Sequence, residues 1–171
     1  MSSPGFAVQV DDHIHLHGIS SKKRDLGQHQ ISDLITIDVQ PIPTYSNNSE
    51  RFAWLASHYT ELIQHYNGTQ VHLEGYAMGA GRAGMNFTIG ECTGYLKAEL
   101  WRSGVTVNII APTALKKFAT GKGNANKDAM MLAFAEKHQI ETLPKLSCMN
   151  DCVDAYWLRD YNGDFYEVLG R

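Results

Sequence analysis

The chain has 171 residues, 43% of them hydrophobic and 10% aromatic, with a formal net charge of -3. That is apolar material enough for the core of a single domain spanning 1–171, yet no stretch approaches the roughly 20 apolar residues of a membrane span. The opening MSSPGFAVQV lacks the basic-then-apolar layout of a secretion signal, and the odd, sparse cysteines Cys92, Cys148 and Cys152 argue against a disulfide framework, so the expected location is the cytoplasm.

GFAVQV, Asp11-Asp12 and HIHLHG alternate apolar and polar residues around a two-residue turn, which predicts a β-hairpin. Strand period two puts His13, His15 and His17 on one face. A solvated outer face is the expectation, with metal binding as the alternative. Residues 18–30 are polar and read as a loop. LITIDV (34–39) reads as a strand, ended by the Pro- and Asn-rich QPIPTYSNNS. A helix is expected from about Ser49, where Phe52, Leu55, Tyr59, Leu62 and Ile63 recur at helical spacing until Asn67-Gly68.

TQVHLEGY then reads as a strand with Glu74 at its end, followed by the glycine-rich GYAMGAGRAGM. NFTIGECTGYLKAELWRSG has helical periodicity, VTVNIIAP is a buried-type strand, and TALKKFA is a short helix or turn. The loop TGKGNANK leads into a helix DAMMLAFAEKH. A last helix begins near Asn150 or Asp151 and runs toward Arg159, before a strand-like tail FYEVLG. Antiparallel strands first and alternating elements afterwards predict a mixed α/β fold with helices packed on the sheet.

Charge is unevenly spread. From Lys97 to Lys127 six basic residues (Lys97, Arg102, Lys116, Lys117, Lys122, Lys127) face the single acid Glu99, so this stretch is either a local positive surface or a solvated loop face. Cys148 and Cys152 lie one turn apart without a second cysteine pair, and read as small core or helix-face residues rather than zinc ligands.

The stretch MNDCVDAYWL holds Asp151 and Asp154 three positions apart on one helix face, among residues that a packed helix buries. Two like charges at that spacing repel unless a cation or a proton compensates them. A helix-capping role accounts for Asp151 but poorly for Asp154. Glu74, at a strand end where α/β sheets form sites, would complete an oxygen cluster suited to Mg²⁺, a hard cation that keeps waters for a substrate phosphate to share.

LEGY, APTALKKFATGKGNANKDAM and NDCVDAYWL, in that order and spacing, resemble the RuvC family of Holliday junction resolvases, particularly the divergent versions carried by bacteriophages; the match spans roughly residues 2 to 158. The resemblance implies an RNase H-like fold, a homodimer, two Mg²⁺ or Mn²⁺ ions, and nicking of four-way DNA junctions by metal-activated water. For a phage protein it implies the bacterial host cytoplasm. It makes Glu74, Asp151 and Asp154 the metal ligands and catalytic acids, and Tyr76 an aromatic near unpaired bases, unless it merely anchors its loop. Lys116 and Lys127 become contacts to the DNA backbone with Lys117 and Lys122 beside them, while Gly121 and Gly123 let the loop approach phosphates. The dimer interface is expected on the helix carrying Phe87, Ile89, Tyr95 and Leu96, a stripe that otherwise belongs to the core.

One departure bears on activity. The family begins with a central strand that ends in an Asp and leads into an SxSSPG-like turn, whereas MSSPGFAV starts at that turn. Asp11 and Asp12 cannot substitute, because the hairpin carries them about 17–20 Å to the far end of an ordinary strand. The expectation is therefore junction binding with reduced or absent cleavage. The alternative to an active nuclease is an RNase H-like, catalytically impaired junction-binding accessory protein; a nuclease of RNA–DNA hybrids fits the lysine and glycine segment less well.

Overall fold

The computed structural model describes residues 4–75 and 83–170, with side chains from 88 onward in the second stretch. The chain divides into two compact units, Met1–Pro43 with Thr113–Gly163, and Thr44–Pro112 with Asp164–Arg171.

The first unit is built on a four-stranded sheet in the order β1-β2-β4-β3, from β1 (Phe6–Val10), β2 (His13–Ser20), β3 (Gly27–Ser32) and β4 (Ile35–Pro41). The expected hairpin joins β1 to β2 antiparallel, with Phe6 opposite His17 and Val10 opposite His13; Asp11, at φ 53°, makes the turn in the left-handed region that Asp tolerates. β2 and β4 run parallel and β3 returns antiparallel on β4. The polar stretch after Gly18 is therefore more than a loop: it completes β2, makes a 3-10 turn at Lys23–Asp25 and forms the edge strand β3. Its glutamines and histidine hid it from a reading based on apolar alternation, because edge strands accept polar side chains.

Parallel pairing sorts the side chains. Ile14 and Leu16 pair with Ile35 and Ile37 and are buried, whereas His15 and His17 pair with Thr36 and Asp38 on the opposite face. That face is not the solvated one expected from alternation. The three imidazoles are half-buried, the His13 and His15 rings lie tilted at 45° with centroids 4.7 Å apart, and His17 Nδ1 lies 4.0 Å from Asp38 Oδ2. Burial, with His13 as a neighbour, holds the His15 pKa below its ordinary value.

Helices α3 (Pro112–Thr120), α4 (Lys127–Lys137) and α5 (Met149–Asp160) belong with this sheet. Helix α5 lies against β1 and β2, burying Cys152, Val153, Tyr156 and Trp157. Close approach is enforced at two glycines: a Cβ at Gly5 would collide with the Asp151 carbonyl oxygen, and one at Gly18 would fall 2.5 Å from Cys148 Sγ. The rings of Phe134 and Tyr156 meet edge-on at 4.8 Å, and Trp157 Nε1 donates to Met130 O at 3.2 Å, tying α4 to α5. Cys148 and Cys152 are free thiols in this core, as expected of small buried residues.

The second unit holds a three-stranded sheet in the order β5-β6-β7, from β5 (Gln70–Glu74), β6 (Thr106–Ile110) and β7 (Glu167–Leu169), with β5 and β6 parallel and β7 antiparallel. Two long helices, α1 (Asn48–His65) and α2 (Ala83–Arg102), pack against each other, and α2 also touches β6. The mixture of parallel and antiparallel strands flanked by helices is the expected RNase H-like α/β architecture. Among the described residues no helix is long and apolar enough to cross a membrane.

Candidate functional site

Helix α5 begins at Met149 with Cys148 as its N-cap, so Asp151 is a first-turn residue and not the cap that its type suggested. An acid in the first turn is favoured by the exposed N–H groups of that end. The residues around the two acids, Cys152, Val153, Ala155, Tyr156 and Trp157, are buried, which draws Asp151 and Asp154 to the margin of the packed face and partly out of water.

Two lysines reach this margin. Lys127, the first residue of α4, places Nζ 3.9 Å from Asp151 Oδ1; its side chain is 60% exposed, against 15% for Asp151. Lys116 on α3 and Lys127 both bring positive charge to Asp154. Burial nonetheless dominates there and raises the Asp154 pKa above the usual carboxylate value, the two lysines only offsetting it. Among the described residues no hydrogen bond holds the Asp154 carboxylate. An acid that is partly desolvated and has a lysine beside it is placed where a cation can be held, and Lys127 already supplies one positive charge at that spot.

Lys117 and Lys122 are exposed, and among the described residues Lys116, Lys117 and Lys122 form no ion pair. The other two members of the basic run are neutralised within the second unit, Lys97 by Glu167 at 3.4 Å and Arg102 by Glu99 at 2.9 Å, so the positive surface is narrower than the sequence implied. Gly121 has φ +77° and its N–H donates to Lys117 O at 2.8 Å, a left-handed helix terminus. The Lys122 N–H donates to Thr120 Oγ1 at 3.2 Å. The backbone N–H groups at 121 and 122 are thus engaged within the loop. A Cβ at Gly123 would sit 3.2 Å from Thr113 O, a tight contact between the loop and the start of α3.

Glu74 is exposed at the end of β5 in the second unit, with the ladder continued by Gly75 N–H donating to Ile110 O at 2.8 Å. Tyr76 lies outside the described residues. Among the described residues no group of three or more His, Cys, Asp or Glu side chains is arranged to hold a metal ion, the β2 histidines included. Sequence reasoning missed Asp25. It is 1% exposed, and its carboxylate accepts from Ser20 Oγ at 2.9 Å and from the Ser147 N–H at 3.0 Å. Nothing in the sequence flags an acid inside a polar run whose partner lies 122 positions away.

No family model and no curated protein sequence matches the chain. Solved structures do. The chain is similar to Thermus thermophilus RuvC, with 18% identity and a TM-score of 0.54 over 68% of this chain and 71% of that one. It is also similar to T. thermophilus RuvC in complex with Holliday junction substrate, with 15% identity and a TM-score of 0.53 over 68% of this chain and 72% of that one. The fold is RuvC-like. At such identities the likeness is one of architecture, and the chemistry has to be argued from the residues.

Proposed function

We propose that the chain binds branched DNA, four-way junctions above all, on the lysine-rich side of its first unit. What carries the reading is the meeting of Lys116 and Lys127 with Asp154 and Asp151 on a RuvC-like fold. Lysine ammonium groups beside phosphate give affinity that is electrostatic and salt-dependent, and four such groups lie between 116 and 127. Asp151 and Asp154 would hold Mg²⁺ or Mn²⁺, completing with the cation what the two lysines only partly balance. Tyr76 would stack on unpaired bases, and Gly123 would keep the loop close to α3 so that Lys122 is presented outward. A homodimer, through the helix face where Ile89 and Tyr95 are 41% and 46% exposed, would match a twofold substrate.

Cleavage is the second reading, favoured by the partly buried Asp154 one helical turn from Asp151. Bound divalent ions would supply an activated water and stabilise the leaving oxygen of a phosphodiester. That chemistry calls for Glu74 and a further acid beside the α5 pair, as on an Asp-bearing strand preceding the SSPG turn. The edge strand β1 is where such a strand would pair.

The test is a comparison of synthetic four-way junctions, flaps and hybrids. Binding is measured in Ca²⁺ at several salt concentrations, and nicking in Mg²⁺, for this chain and for a version extended upstream with an Asp-bearing strand. The expected result is salt-dependent junction binding by both chains, with nicking confined to the extended one. Equal affinity for linear duplex and junction would sink the binding reading, and full nicking by the unextended chain would show that no further acid is needed.

A further inference from the structure

We propose that Asp25 is a positioning residue for the acid-bearing turn of α5: its buried carboxylate grips Ser147 and thereby fixes where Asp151 and Asp154 stand. The inference rests on reading those two acids as cation ligands.

The three helices whose N-caps are described are held in different ways. At α1 and α4 an asparagine caps the first turn, Asn47 Oδ1 accepting from the Glu50 N–H and Asn126 Oδ1 from the Ala129 N–H, each at 2.9 Å. The N-cap of α5, Cys148, caps no first-turn N–H of its helix with its side chain. The helix that carries the acids therefore lacks the local device that usually fixes a first turn.

A long-range one stands in its place. From the 3-10 turn of the first unit, Asp25 Oδ2 accepts from the N–H of Ser147 at 3.0 Å, from Ser147 Oγ at 2.5 Å and from Ser20 Oγ at 2.9 Å. Ser20 ends β2, so the carboxylate ties the residue before the cap of α5 to the sheet. Bonds to an ionised acceptor are roughly twice as strong as neutral ones. The nearby cation adds little, since Arg24 Nε is 3.6 Å from Asp25 Oδ1 on a side chain that is 75% exposed. On the other side of the same turn, the backbone at Gly5 lies so close to Asp151 that no Cβ fits between them. The first turn of α5 is therefore located by the sheet at Gly5 and by Asp25 at Ser147. Ligand carboxylates need placement to about 0.5 Å, which a frayed first turn cannot give.

The experiment uses the full chain, with Mn²⁺ as probe and amide hydrogen exchange as a second readout. In D25A, Mn²⁺ affinity is expected to fall about tenfold and exchange at residues 151–155 to quicken about tenfold, with α4 amides from Met130 to Phe134 unchanged. D25N should restore part of both, and S147A should show the same pattern more weakly. Wild-type exchange at α5 in folded D25A, or an equal loss of protection in α4 and α5, would overturn the proposal. If D25A does not fold, S147A decides by the same pattern. Absence of Mn²⁺ binding by the wild-type chain would remove the cation reading of Asp151 and Asp154, while the exchange pattern would still judge the grip of Asp25.

Discussion

Asp25 and Asp154 belong to the same unit, both are withdrawn from water, and their pKa values move in opposite directions. Hydrogen bonds from the Ser147 hydroxyl and N–H hold Asp25 down to about 2, against an opposing burial effect. Burial pushes Asp154 up, with Lys127 and Lys116 only offsetting it. Hydrogen-bond donors aimed at the charged form distinguish the two. Asp25 has its donors and is a strut of the fold, whereas Asp154 has none among the described residues, so that a bound cation would favour its charged form.

That contrast is broken most directly at Asp25. D25A leaves the Ser147 N–H without its acceptor and the Ser20 and Ser147 hydroxyls, 2.8 Å apart, with only each other as acceptors, and it should lower the thermal midpoint more than D154N, D151N or K127A does. The pH dependence follows from the same bonds. Asp25 contributes stability that is complete above its unfolded value of 3.8 and is lost as pH falls through about 2. Acid unfolding followed by circular dichroism should therefore steepen below pH 4 in the wild type and flatten there in D25N. An unchanged acid limb in D25N would mean that the Asp25 bonds do not form in solution.

Asp154 should behave in the opposite sense and with smaller amplitude. Because its folded pKa is raised, stability falls as pH climbs from the ordinary carboxylate range through the raised value. D154N should remove that slope and stabilise the metal-free chain by about 0.5–2 kcal/mol, the range common when a functional strain is relieved. Mg²⁺ should stabilise the wild type, by ~1.4 kcal/mol at ten times its Kd, and should do so less in D151N and D154N. A D154N chain that is less stable than wild type in the absence of metal would show that the carboxylate is satisfied after all.

How much of this was legible in the sequence depended on the range of the interactions. The hairpin, the helices and the pairing of Asp151 with Asp154 follow from periods of 2 and 3.6 that a few consecutive residues express. The edge strand β3 escaped because Gln28, His29 and Gln30 carry no apolar alternation. The true start of α5 at Met149 was obscured because Cys148 caps no first-turn N–H with its side chain, and a neighbouring Asp looked like the better cap. Asp25 was invisible, since Ser20 and Ser147 are brought to it by the sheet and by the approach to α5. The use of Gly121 as a helix terminus was hidden by the motif it sits in, where a glycine between lysines reads first as a phosphate loop.

Lys127 gives the smallest expected effect on stability and the sharpest one on binding. Its pair with Asp151 is long, at 3.9 Å, and the lysine is 60% exposed, so K127A should change stability by no more than about 1 kcal/mol. If the chain binds DNA as proposed, the metal-free lysine would be shared between Asp151 and a phosphate, and a divalent cation on the aspartates would remove the competitor and leave Nζ for the phosphate. Junction affinity should therefore rise with Ca²⁺ in the wild type and rise less in K127A, and the salt dependence of binding in K127A should be shallower by about one unit of slope. In D151N, which keeps the lysine but loses its acidic partner, affinity without Ca²⁺ should already approach the Ca²⁺-bound level of the wild type. If K127A and wild type respond to Ca²⁺ alike, the cation acts on DNA without passing through this pair, and the lysine and the aspartate serve separate ends.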